Sequence, residues 1–194
     1  MKKILILIPF LLLFVFISCN QSNQPGNSDS RGFDTTAFMQ LGDSITVAVQ
    51  QVLLSNVMLA TKAGGAGHAV AFCNERAMAL TDSLALKYNC RIQRISDKYR
   101  NPANKPGEKE AALLKKPGFL NAASPLIFNE DSTLVYYKPI RVAMPACLSC
   151  HGAAGKDILP GTLEVIRQKY PDDLATGYKE GDFRGLWKIT FTKE

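Results

Sequence analysis

The chain has 194 residues, 23 Lys and Arg against 17 Asp and Glu, a formal charge of +6 and 46% hydrophobic residues. That is enough for one globular domain with its own core, and so modest and dispersed a charge gives no sign of a nucleic-acid-binding protein. Lys115-Lys116, the densest basic pair in the domain, reads as a solvated helix end.

The N-terminus reads as an export signal. Lys2 and Lys3 precede an apolar run over residues 4–17, interrupted by Pro9. This run is too short and wrongly flanked for a membrane span and fits a secretory leader. It ends in Phe16-Ile17-Ser18-Cys19, which resembles a bacterial lipobox with Phe16 where Leu is usual. Residues 1–18 are therefore expected to be a lipoprotein signal peptide, with Cys19 lipidated as the first mature residue. The plainer alternative is an ordinary signal peptide cut near Ser18, leaving a free thiol. Asn20, rather than Asp, follows the cysteine and points to the outer rather than the inner membrane, with the domain on the periplasmic side. Cleavage would take Lys and Arg from 23 to 21 against 17 acids, a net +4. Residues 19–33 are rich in Gln, Ser, Asn, Pro and Gly and read as a flexible tether. A single domain follows over 34–194.

Helical spacing of Phe38, Leu41, Ile45, Val49, Val52, Leu53, Val57 and Ala60 predicts a helix over 35–63, stopped by Gly64-Gly65. Val70, Cys73, Ala77, Leu80, Leu84 and Ala85 predict a second over 67–87, closed by Tyr88-Asn89. Residues 90–95 read as a short strand and 100–107 as loop. A short helix is predicted over 108–114, ended by Lys115-Lys116-Pro117-Gly118. A hairpin follows, with strands over 124–128 and 133–142. A helix over 163–170 stops at Pro171, and 184–192 forms a last strand. Helices packed on a small antiparallel sheet make an α+β domain.

Between the hairpin and the last helix lies Cys147-Leu148-Ser149-Cys150-His151. C-x-x-C-H is the attachment signature of a c-type haem: the two thiols form thioethers with the haem vinyl groups, and the histidine ligates iron. A structural zinc site needs four ligands, whereas the chain has one Cys pair and two histidines, His68 and His151. A thioredoxin-like dithiol would open a helix after a buried strand; here Met144-Pro145-Ala146 precedes the pair. One covalent haem c is the expected cofactor, with Cys147 and Cys150 as attachment points and His151 as axial ligand. For the second axial position the residue types leave His68, Cys73, Cys90, Met39, Met58, Met78 and Met144 open, and frequency alone favours His68 or a methionine. Cys73 could equally be a small buried helix residue, or pair with Cys90 in a disulfide, which an oxidising compartment permits.

Several ordered motifs bear on that choice. They are Gly64-Gly65 with Ala69-Val70-Ala71-Phe72-Cys73; Arg94-Ile95-Ser96 leading to Arg100-Asn101-Pro102-Ala103-Asn104; an acid at Glu108 or Glu110; Pro139-Ile140; Cys147 to Gly152; Tyr170-Pro171 through Asp173, Ala175 and Gly177-Tyr178; and Gly181-Asp182 with Arg184-Gly185. Together they resemble a c-type haem family long known only as a domain of unknown function. It is typified by a low-potential cyanobacterial haem c protein and is also found in extracytoplasmic sensor regions of histidine kinases. The resemblance covers residues 35–192. It implies a PAS-like antiparallel sheet with long N-terminal helices before it, His151 as proximal ligand and Cys73 as distal ligand. His68 precedes Cys73 by five residues, about 140° around a helix, so the two would not face one haem. Two features depart from the pattern: Ala66-Gly67-His68 stands where proline is frequent, and Cys90 has no counterpart.

His/thiolate ligation stabilises ferric iron and lowers the potential. Reduction would loosen the thiolate and open the site to nitric oxide or carbon monoxide. The expectation is therefore a lipid-anchored redox or gas sensor that signals to a separate redox or signalling protein, not an enzyme. A low-potential periplasmic electron-transfer cytochrome is the alternative. Arg94 and Arg100 are candidate partners of the haem propionates; for Arg100, capping of backbone carbonyls is an equal reading. Arg184 is a third candidate, and residues 170–178 read as a loop over the sheet edge.

Overall fold

The computed structural model describes residues 35–116, 126–130 and 133–192. The leader over 1–18, Cys19, the tether over 19–33, the Pro117-Gly118 stop and the start of the first hairpin strand at Ser124 and Pro125 lie outside the described residues. Helix α1 spans Thr35–Lys87, 53 residues, and is broken at Gly64 (φ −157°, ψ 21°) and Gly65 (φ 78°, ψ −175°). The two anticipated helices are thus two arms joined at the Gly-Gly pair. Gly65 adopts the left-handed region that a side chain would resist. By length and composition α1 could cross a membrane, but Ile45, Val49, Leu53 and Ala77 from its two arms are buried against the sheet. Asn89, at φ 48°, ends the second arm.

Strand β1 is Arg91–Ile95, and helix α2 is Glu108–Leu114. The loop between them carries a 3-10 turn over Pro102–Asn104, capped where the Asn101 side chain accepts from the Ala103 N–H. Strands β2 (Leu126–Glu130) and β3 (Thr133–Arg141) pair as the anticipated hairpin. After the Cys-x-x-Cys-His segment, helix α3 is the single turn Leu148–His151 and α4 is Pro160–Lys169. Helix α4 starts three residues earlier than its apolar spacing suggested, because Pro160 occupies its first turn, where proline's fixed φ and missing N–H suit a helix start. Strand β4, Phe183–Thr192, is the last.

The four strands form one antiparallel sheet in the order β1-β4-β3-β2. Period-two alternation sorts the side chains. Ile92, Leu134, Tyr136, Trp187, Ile189 and Phe191 face α1. Ile95, Val135, Tyr137 and Leu186 face the other way, onto Leu113 and Leu114 of α2. Covered on both faces, the run Leu134-Val135-Tyr136-Tyr137 is 0–2% exposed. That explains an unbroken apolar stretch in an antiparallel strand; each such side chain contributes roughly 1.5–3 kcal/mol. Helix α1 lies directly on Tyr136: a Cβ at Gly42 would come 2.6 Å from its ring, and the Tyr136 hydroxyl donates to Asp43 Oδ1 at 2.8 Å. At the far end of β3 the register shifts between Ile140 and Arg141, opposite Gly185. The chain then leaves the sheet towards the Cys-x-x-Cys-His turn.

Candidate functional site

Cys147, Cys150 and His151 sit on one compact turn. A 3-10 turn over Pro145–Cys147 runs into α3, and the Ser149 hydroxyl caps the Ala146 carbonyl at 2.8 Å. Gly152 closes α3 because nothing larger fits: a Cβ there would lie 2.5 Å from the Asp157 Cβ. The Asp157 carboxylate in turn accepts from the Ala153 N–H at 2.8 Å. Cys147 and His151, one helical turn apart, line a cavity of about 210 Å³. Cys150 faces the second arm of α1 and packs on Val70, Ile158, Ile166 and Tyr170; its thiol lies 4.0 Å from the Ala66 carbonyl oxygen.

The imidazole is held in one tautomer. His151 Nδ1 lies 2.9 Å from the Ala175 carbonyl oxygen. A carbonyl only accepts, so Nδ1 carries the proton and Nε2 keeps its lone pair. Burial, and then the Arg100 and Arg184 cations, hold the pKa well below the ordinary 6.5, so the ring is neutral. Tyr178 stands edge-on to it, with centroids 6.3 Å apart.

The segment from Tyr170 to Tyr178, anticipated as a loop over the sheet edge, instead runs along this turn. Gly177 N donates to the Gly152 carbonyl at 2.8 Å and Tyr178 N to the His151 carbonyl at 2.9 Å. Arg100 binds the two segments together. Its Nη2 donates to the Cys150 carbonyl at 2.7 Å and its Nε to Asp173 Oδ1 at 2.9 Å. Of the two readings of Arg100, the geometry gives the carbonyl cap, with Asp173 added. Asp173, the Ala175 carbonyl and Tyr178 were not singled out as site residues from the sequence. Their signal was the spacing of the Tyr-Pro-x-Asp-x-Ala-x-Gly-Tyr run, without any indication of what it touches.

Arg94 and Arg184 both line the cavity, together with the apolar side chains of Leu54, Ile140, Val142 and Met144. Arg184 Nη1 donates to Ser96 Oγ and to the Lys98 carbonyl, each at 3.1 Å, and lies over the Tyr178 ring at 5.3 Å. Arg94 points from β1 towards α1 and stacks over Trp187 at 5.9 Å. Burial pushes both guanidinium groups below their ordinary pKa.

Cys73 lies on the face of α1 that carries buried Val70 and Ala77 and packs against the main core. Burial raises its thiol pKa; Arg94 pulls it down and Cys150 pushes it up. The second arm of α1 thereby puts Cys73 within electrostatic reach of Arg94 and Cys150, although Cys73 is not in the cavity wall. Of the other ligand candidates, His68 and Met58 are exposed and Met39 packs with the main core. Met144 is at the cavity, three residues before Cys147. Cys73 and Cys90 are free thiols, so the alternative disulfide between them is not formed, and burial pushes the Cys90 thiol up to about 11. Among the described residues no three His, Cys, Asp or Glu side chains gather as a bare-metal site.

Among curated proteins nothing matches. The chain is similar to the crystal structure of the cyanobacterial haem protein Tll0287, with a TM-score of 0.61 and 22% identity over 80% of this chain and 96% of that one. At that identity the likeness speaks for the fold, an α+β domain with a long N-terminal helix and a four-stranded antiparallel sheet. The model of the Tll0287-like family matches residues 22–192, nearly the whole chain, and the protein belongs to that family.

Proposed function

We propose that the chain is an exported haem protein carrying one covalent haem c, attached through Cys147 and Cys150 and ligated by His151 Nε2. The observation that carries this reading is the neutral imidazole on the same turn as the two thiols, its Nδ1–H committed to the Ala175 carbonyl so that Nε2 is the free donor. The donor set fits such a group. A ligating histidine characteristically gives its other N–H to a carbonyl or carboxylate, the cavity beside it is walled in part by Leu54, Ile140, Val142 and Met144, and Arg94 and Arg184 supply cations for two propionates. Haem held there supplies one-electron redox chemistry and a binding site for nitric oxide or carbon monoxide.

Cys73 is the proposed second ligand. Its position in the Gly-Gly to Cys motif and its coupling to Arg94 and Cys150 support this assignment. A thiolate ligand favours the ferric state and a low potential, which suits a redox or diatomic-gas sensor better than a carrier working near quinones. The leader and Cys19 support lipid anchoring at the periplasmic side of a bacterial membrane, with a separate redox or signalling protein as partner. The reading involves no enzymatic turnover.

The test is haem staining after denaturing electrophoresis, with the full chain produced in a host that matures cytochromes c. Wild type should stain, and Cys147→Ala/Cys150→Ala should not. A wild type without stain would overturn the haem reading. A positive midpoint potential with no ligand exchange on reduction would replace the sensor by an electron carrier.

A further inference from the structure

Behind His151 lies an ion pair that the haem reading alone does not require. Arg100 and Asp173 have side chains 10% and 7% exposed. They come from distant parts of the chain and meet on the side of the imidazole that carries Nδ1. Arg100 Nε donates to Asp173 Oδ1 at 2.9 Å, and Nη2 reaches Asp173 Oδ2 at 3.4 Å. The same Nη2 donates to the Cys150 carbonyl at 2.7 Å and approaches the Ala175 carbonyl at 3.4 Å. That Ala175 carbonyl is also the acceptor of His151 Nδ1–H at 2.9 Å. Asp173 Oδ1 further accepts from the Ala175 N–H at 3.1 Å. One residue, Ala175, thus has its carbonyl shared between a histidine and a guanidinium, and its N–H held by a carboxylate.

From this geometry we propose that Arg100 and Asp173 are positioning residues of opposite sign behind His151 that set the reduction potential by their charges, Arg100 also through the Ala175 carbonyl. The inference rests on the haem reading of the same site. A cation competing for the Ala175 oxygen weakens it as an acceptor for His151. The imidazole then gains less negative character and donates less to iron, which raises the potential. Burial leaves the two charges poorly screened by solvent. Arg100 directly disfavours ferric iron, and Asp173 directly favours it. The native potential reflects the near-balance of the pair. A purely mechanical clamp behaves differently, because losing either partner frees the same loop and moves the potential in the same direction.

The experiment is reductive titration of the full-length, haem-loaded protein and of Arg100→Gln, Asp173→Asn and Arg100→Lys. Arg100→Gln leaves Asp173 uncompensated and should raise the ferric-to-ferrous ratio at fixed potential about tenfold, a downward shift of ~59 mV for one electron. Asp173→Asn should lower that ratio by a similar factor. Arg100→Lys keeps the charge and should stay within about twofold of wild type. Shifts of the same sign in Arg100→Gln and Asp173→Asn would overturn the inference. So would an Arg100→Lys shift equal to that of Arg100→Gln, or loss of covalent haem from Arg100→Gln and Asp173→Asn alike. If one of these two fails to mature, the sign of the other and the Arg100→Lys value decide. Wild type without covalent haem would instead refute the underlying haem reading, so the two failures are told apart.

Discussion

Replacing Gly185 by alanine tests how the sheet end presents the site. Gly185 has φ 152°, a conformation essentially confined to glycine. An added Cβ would sit 2.4 Å from the Ile95 carbonyl oxygen, 3.1 Å from the Ser96 Cβ and 3.4 Å from the Ile95 carbonyl carbon. Two of those atoms are backbone of β1, which the ladder pairs at Ile95–Leu186 and Arg94–Trp187 hold in place, so they cannot swing aside as a side-chain tip would. The backbone strain costs about 1–3 kcal/mol and the forced separation of strands about 1–3 kcal/mol. Together these give a loss of roughly 2–6 kcal/mol, or about 4–24 °C in Tm for a chain of this size. The same displacement loosens the bond from Ser96 Oγ to the Arg184 carbonyl, 2.8 Å in the native fold, and moves Arg184 relative to the cavity. Urea and thermal unfolding of the full chain, followed by circular dichroism, measure the effect. Gly161→Ala is the control: Gly161 lies in the first turn of α4 with open space around it, and alanine there should stabilise by about 0.4–1 kcal/mol. If Gly185→Ala melts within about 1 °C of wild type, the close approach of β1 and β4 does not constrain the fold as argued.

The remaining predictions concern the iron ligand and acid stability. Cys73→Ser should change the low-spin paramagnetic resonance spectrum of the ferric protein; an identical spectrum would remove Cys73 from the iron. Burial pushes the Glu110 carboxyl up, but Lys188 and the Tyr137 hydroxyl more than offset this, and its pKa lies below the ordinary 4.5. A depressed folded pKa stabilises fully above the unfolded value and loses that contribution as pH falls below about 4.5 and through the lowered folded value. Urea midpoints measured from about pH 6 down to about pH 3 should therefore fall less steeply for Glu110→Gln than for wild type. At about pH 6 the variant should be roughly 1–3 kcal/mol less stable, because Lys188 loses its partner. Parallel pH profiles would remove Glu110 from the acid transition.

Legibility of the fold followed the range of the interactions. Helical periodicity and the Gly64-Gly65 stop located both arms of α1, and alternation located β1 and β4 to within a residue, because burial of one face is written in every second or every third to fourth side chain. The start of α4 was missed because apolar spacing begins at Leu163, whereas Pro160 begins the helix by its backbone geometry. In the site, the Cys147, Cys150 and His151 triplet was visible since three residues within five carry the chemistry. Arg100 was visible as a residue, with carbonyl capping as one of its two readings, but which groups it meets was not. Its partners are a carboxylate 73 positions away and two backbone carbonyls, and a carbonyl has no residue type to announce it.

What the sequence by itself determined was local: which segments form helices or strands, where glycine interrupts them, and which turn carries two thiols and an imidazole. The tertiary structure alone decided that residues 170–178 lie along that turn, that the Ala175 carbonyl fixes the His151 tautomer, and that Arg94, Arg184 and Cys73 come to the same end of the sheet. The physical reason is that local conformation depends on steric and burial preferences repeated along the chain. The state of a buried imidazole depends instead on which dipoles and charges the packed fold places beside it, and those come from elements far apart in sequence.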